Sequence, residues 1–164
     1  MAGWWRLLLL AAALSGTACT TLSPAKRDAA AHIAVEARST EIVCARADAC
    51  ATPSPLRELG TRALARSTPA APRHYAVLLE YGQDALLARL DLIRGAQRTI
   101  DVQTYIFDED DAGHLVLEEL LAAARRGVQV RLLVDQLSAL RTVETLSALA
   151  GAHTNFEMRI YNPV

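Results

Sequence analysis

The pattern of apolar positions sharpens from His74 onward. In "QDALLARLDLIRGAQ", Leu86, Leu87, Leu90 and Ile93 recur at helical spacing, with Asp84 suited to the cap and Gly95 near the end. "TIDVQTYIF" then alternates, which predicts a strand with Ile100, Val102, Thr104 and Ile106 on one side and Asp101, Gln103, Tyr105 and Phe107 on the other. "GHLVLEELLAAARRG" returns to helical spacing through Leu117, Leu120, Leu121 and Ala124, and closes with two arginines and Gly127, which suit the negative end of a helix. "VQVRLLVD" predicts a second strand, a short helix is expected near Val143 to Ala150, and "FEMRIYNPV" starts a third strand. Strand, helix and strand within about 35 residues make a βαβ unit, which implies parallel pairing, a right-handed crossover and strands covered on both faces. The expected class is α/β with mostly parallel strands.

Upstream of this region the composition shifts. From Thr20 to about Pro72 the chain is rich in Ala, Thr, Ser, Pro and Arg, with short helices expected around Arg27 to Arg38 and Pro55 to Arg66. The prolines of "STPAAPR" mark a linker. Residues 19–73 are therefore expected to be a tether and lead-in, and residues 74–164 a folded domain. A chain of 164 residues with 52% hydrophobic and 21% charged residues is globular in composition. Its net charge of -1 supplies no electrostatic footprint for nucleic acid, which argues against that partner.

The segment "MAGWWRLLLLAAALSGTAC" carries one charge, Arg6, followed by an uncharged run from Leu7 to Ala18 that ends in small residues. That is the build of an export signal, residues 1–18, and it is short of the roughly 20 apolar residues that span a bilayer. Its end, "SGTAC", resembles a bacterial lipoprotein box, with Gly16 where a leucine is usual. The resemblance implies lipidation of Cys19 and a lipid anchor on the cell envelope. Thr20 in place of aspartate implies, by similarity to enterobacterial lipoproteins, the outer membrane facing the periplasm. The other cysteines, Cys44 and Cys50 in "CARADAC", either pair as a disulfide or remain free thiols, and an oxidising compartment favours the pair. They do not complete a zinc site, since no further cysteine follows and no His-x3-5-His pair is present.

The acids Asp108 to Asp111 at the end of the first strand have three readings. Counted from Asp108, Asp110, Gly113 and Glu119 fall on calcium-loop positions, but Ala112 occupies a ligand position and a strand precedes where a helix is needed. As carboxylates at the carboxyl end of a parallel strand, with Asp135 at the same edge, they sit where open α/β sheets place their sites. As helix-start residues, Asp110 or Asp111 would cap the helix beginning near Ala112. No metal, cofactor or catalytic residue is assigned from them.

"LLEYGQDALLARLDLIRGAQRTIDVQTYIFDEDDAGHLVLEELLAAARRGVQVRLLVDQ" and "FEMRIYNPV" resemble the opening of a bacterial phospholipase D-like protein of the cardiolipin synthase branch. "IDVQTYIF", "AARRGVQVRLLVD" and "RIYNP" are the most specific pieces. The resemblance implies an α/β sandwich with two His-x-Lys-x4-Asp motifs. One histidine attacks phosphorus, the other protonates the leaving alcohol, and lysines hold the phosphoryl oxygens. The chain's one lysine is Lys26, and His32, His74, His114 and His153 have no lysine two residues later, so neither motif occurs here. His114 and His153 are expected to be helix-start and loop residues.

The expectation is an incomplete phospholipase D-like sandwich half, truncated before the first catalytic motif. It would be the N-terminal part of a membrane-anchored phosphatidyltransferase that is inactive alone. Its expected partners are the phospholipid membrane and the remaining half of the fold. A nuclease of the same family and a non-catalytic envelope lipoprotein are the alternatives.

Overall fold

A computed structural model describes residues 23–36, 38–135 and 143–161. The signal segment, Cys19 and the Asn162–Pro163 pair lie outside the described residues. The elements run α1 (Pro24–Glu36), α2 (Pro55–Ala65), α3 (Gly82–Gly95), β1 (Thr99–Thr104), α4 (Asp111–Arg125), β2 (Gln129–Asp135), α5 (Val143–Ala150) and β3 (Phe156–Tyr161). The sheet has the order β1-β2-β3 and both pairings are parallel, with Ile100 opposite Val130 and Val130 opposite Phe156. The class is α/β, an open parallel sheet built on a βαβ unit. Among the described residues no helix is long and apolar enough to cross a membrane.

The core lies on one face of this sheet. Val130, Leu132 and Val134 of β2 and Phe156 of β3 meet Leu120, Ala123 and Ala124 of α4, while Leu90 and Ile93 bring α3 to the same cluster. Helix α4 stops in a Schellman arrangement: Val128 N–H donates to the Ala123 carbonyl at 3.1 Å and Gly127 N–H to Ala124 at 3.0 Å. Gly127 supplies the left-handed turn this requires, at φ 97°.

Four expectations are corrected. Leu87 is exposed, because Leu86, Leu90 and Ile93 follow the i, i+4, i+7 stripe and Leu87 stands one step off it. Asp84 is not the cap of α3; Tyr81 holds that position and makes no side-chain cap bond. Strand β1 stops at Thr104, whose hydroxyl donates to the Ile106 carbonyl at 2.7 Å and bends the chain. Phe107 therefore turns into the core and Ile106 outward, the reverse of the alternation. The opposite face of the sheet, which the βαβ argument expected to be covered, is open among the described residues: Asp101, Gln103, Arg131, Glu157 and Arg159 are exposed on it.

The segment before α3 is docked on the α/β unit at several points. Val43 N–H donates to the Arg125 carbonyl at 2.8 Å and Thr52 N–H to Arg94 at 3.0 Å. Ser54 caps α2 through Arg57 N–H and donates its hydroxyl to Asp91 at 2.6 Å. Cys44 and Cys50 are bonded, with Cα atoms 6.0 Å apart, and the loop between them places Ala49 and Cys50 at φ 51° and 48°. Such left-handed non-glycine residues are held by their surroundings. Asp48 accepts from Cys50 N–H at 3.0 Å, and the Arg126 guanidinium donates to the Ala49 carbonyl at 3.0 Å and to Ile93 at 3.2 Å.

His153, expected in a loop, is buried and acts as a clasp. Its Nδ1 accepts from Asn155 N–H at 3.0 Å, which leaves Nε2 to donate to the Glu41 carbonyl 3.0 Å away. Beside it, Thr154 N–H donates to Ser39 at 2.9 Å. Helix α1 packs on α5 and closes tightly over Gly151, where a Cβ would stand 1.8 Å from the Ala34 carbonyl oxygen.

Candidate functional site

The acidic stretch is built as a strand-to-helix junction. Asp110 is the N-cap of α4 and accepts from Gly113 N–H at 2.7 Å, and its carbonyl takes His114 N–H at 2.9 Å. Asp108 accepts from Glu109 N–H at 3.0 Å, and Asp111 lies in the first turn, where its charge favours the helix dipole. Glu119, the twelfth position of the calcium reading, is on the flank of α4 and is paired with Arg94. The hydrogen bond from Arg94 holds the Glu119 carboxyl below its ordinary range and raises the Arg94 guanidinium in return. Asp108, Asp110 and Glu119 thus have structural partners, and a strand leads into the loop.

A cleft of about 280 Å³ lies at the carboxyl edge of β1, lined by Arg89, Gln103, Thr104, Asp108 and Asp110 among others. Asp135, which the sequence places at the same edge, ends β2 in register with Tyr161, is buried, and is not among the described residues that line this cleft. His114 is exposed near the start of α4, as its position predicts. Arg126 is engaged with backbone carbonyls at the amino edge of the sheet, and its burial lowers the guanidinium pKa.

A larger groove of about 700 Å³ crosses the open face of the sheet. Arg131 clasps Asp101 across the strands with both guanidinium edges, Nε to Oδ1 at 2.5 Å and Nη2 to Oδ2 at 2.9 Å. The Asp101 carboxylate raises the Arg131 pKa, and Glu157 occupies the next place in the same row. Arg159 pairs with Glu157 at 2.6 Å. The charged row was encoded in the alternation of "VQVRLLVD" and "FEMRIY", which puts Arg131, Glu157 and Arg159 on the Asp101 side. Among the described residues, neither this groove nor the cleft is lined by a histidine or a lysine.

Residues 90–163 match the family model of the cardiolipin synthase, phospholipase D-like domain. This region belongs to the phospholipase D-like family, in its cardiolipin synthase branch. The chain is 46% identical over 93 residues to an uncharacterized protein of Helicobacter pylori, a match covering 56% of this chain and 18% of that one. It is 42% identical over 85 residues to cardiolipin synthase C of Escherichia coli, covering 52% of this chain and 18% of the relative. Cardiolipin synthase of Clostridium perfringens matches at 32% over 69 residues, covering 42% and 14%. The matches thus span less than a fifth of each relative's length. No solved structure matches the chain.

Proposed function

We propose that this chain serves as the N-terminal α/β part of a phospholipase D-like phosphatidyltransferase that acts on phospholipid phosphodiesters, held at the bacterial envelope by a lipidated Cys19. The observation that carries this reading is the match of residues 90–163 to the cardiolipin synthase domain. The open, charged face of the three-stranded sheet supports a second layer, the remaining half of the fold, packing on it. Histidine-based phosphoryl transfer needs a nucleophile beside phosphate-binding cations. Both would come from that remaining half, because the single lysine here is Lys26 on α1. An export signal and lipid anchor would hold the protein where phospholipid is locally concentrated.

The test is phosphatidylglycerol turnover by the purified chain and by a chain extended through two downstream His-x-Lys motifs. The expected result is turnover by the extended protein alone. Cleavage of nucleic acid in place of lipid by the extended protein would favour the nuclease alternative, and inactivity of both would favour a non-catalytic lipoprotein. Turnover by the 164-residue chain would overturn the assignment of Asp108 to Asp111 to capping.

A further inference from the structure

The stretch "RSTPAAPR", residues 66–73, reads as a linker in the sequence, but in the structure it folds back on the end of α2. The Ser67 hydroxyl accepts from Arg73 N–H at 2.8 Å and donates to the Ala63 carbonyl at 2.9 Å, which ties residue 73 to the last turn of the helix. Thr68 and Ala71 exchange both backbone bonds, N–H to carbonyl at 3.2 and 3.1 Å, and close the turn between them. Pro69 and Pro72 fix φ at two further places. The two ends of the stretch, Arg66 and Arg73, are thereby brought to one cavity of about 400 Å³, which they line together with Ala63, His74 and Tyr75.

Among the described residues no carboxylate lines this cavity. Nor does either guanidinium have a hydrogen-bond or ion-pair partner among them, whereas Arg62, one turn back on α2, is paired with Glu58 at 3.8 Å. Two cations on one cavity repel each other, and an anion between them removes that cost. A helix end repels anions through its free carbonyls, but here those of Ala63 and Leu64 already accept, from Arg66 N–H at 3.2 Å and Ser67 N–H at 3.1 Å. A lining dominated by cationic donors disfavours a metal ion and favours a ligand with several charged oxygens. Guanidinium forks match the oxygens of a phosphate two at a time. The Tyr75 hydroxyl adds a donor, and so does a His74 ring N–H, which the imidazole carries whether or not it is charged.

We propose that this cavity binds a phosphate group through the guanidinium groups of Arg66 and Arg73, whose backbones the Ser67 bridge and the closed turn hold together. The phosphate belongs to a lipid headgroup or is free in solution, and the chemistry of recognition is the same for both. The site precedes residues 90–163, which match the family, and does not depend on the enzymatic reading. Both arginines are exposed, so salt screens the attraction, and the bare ion is expected to bind with a Kd of about 1 mM.

The experiment is titration of the isotope-labelled full chain with inorganic phosphate, at ionic strength held constant with chloride and followed by amide NMR. Saturable shifts are expected in residues 66–75. Arg66→Gln and Arg73→Gln are each expected to weaken binding at least about tenfold, as loss of a hydrogen bond to a charged group does. Arg62→Gln, which removes an equal charge that is already paired, is expected to stay within about twofold of wild type. The side chains of Arg66 and Arg73 hold no partner, so both variants are expected to keep the wild-type unfolding midpoint, which separates lost binding from lost folding. The second probe is dihexanoyl phosphatidylglycerol dispersed as monomers. Tighter binding of this lipid than of inorganic phosphate, lost in Arg66→Gln, would make a headgroup the ligand; tighter binding of inorganic phosphate would make it a free phosphate, and either result upholds the site. Shifts that do not saturate, shifts spread over the whole surface, or weakening by Arg62→Gln equal to that by Arg66→Gln would each overturn the proposal, because the attraction would then be one of general charge.

Discussion

The two faces of the sheet are made from alternate residues of the same strands, yet they do different work. On the helix-covered face Val130, Leu132 and Val134 are almost wholly out of water, and their neighbours Leu120, Ala123 and Ala124 are fully so. On the other face Arg131 and Leu133 sit between Asp101, Gln103, Glu157 and Arg159, with Asp101 and Arg131 clasped in water. Burial supplies most of the stabilisation, at about 25 cal/mol per Å² of apolar surface, whereas an exposed ion pair contributes little. The covered face therefore holds the fold, and the open face presents a row of charged side chains to solvent.

The largest way to break this contrast is Leu120→Ala, which empties the centre of the covered face and is expected to cost about 2–5 kcal/mol in urea unfolding. Next is reduction of Cys44–Cys50. The two cysteines are bonded in the structure. Their short loop is expected to contribute at most about 2 kcal/mol, read as a lowered midpoint on adding dithiothreitol. Asp110→Ala removes the cap of the covering helix and is expected to cost about 1 kcal/mol, with Asp110→Asn retaining most of it. If Asp110 had a role beyond capping, the asparagine variant would separate from wild type in some other property.

The smallest effect concerns Glu119. Its folded pKa is depressed by the Arg94 hydrogen bond, so its stabilising contribution is present above the ordinary glutamate value and is lost as pH falls through the folded one. Wild type is expected to be more stable than Glu119→Gln at neutral pH, and the gap is expected to close as pH falls below about 4.5. A gap that persists in acid would show that packing of the side chain, and not its charge, is what matters.

Much of the α/β unit was legible because each element announces its own period: Leu120 and Ala124 recur at helical spacing, and Ile100 and Val102 alternate. The junction at Asp110 was legible too, since a cap bond is local. What local periodicity does not carry is a partner far along the chain. His153 reaches back to Glu41, and Arg126 to Ala49, so neither role could be read from neighbouring residues. The reversal of Ile106 and Phe107 has a different cause: one hydroxyl bond from Thr104 ends the strand before its pattern does. The charged row on the open face required the register of all three strands, which sets Asp101, Arg131 and Glu157 side by side.

The most direct test of the contrast uses neighbours on β2 that point to opposite faces. Urea unfolding of Leu132→Ala is expected to show a loss of about 2–5 kcal/mol, and Arg131→Ala a midpoint indistinguishable from wild type. Comparable losses for the two would contradict the account, because the open face would then be part of what holds this chain together.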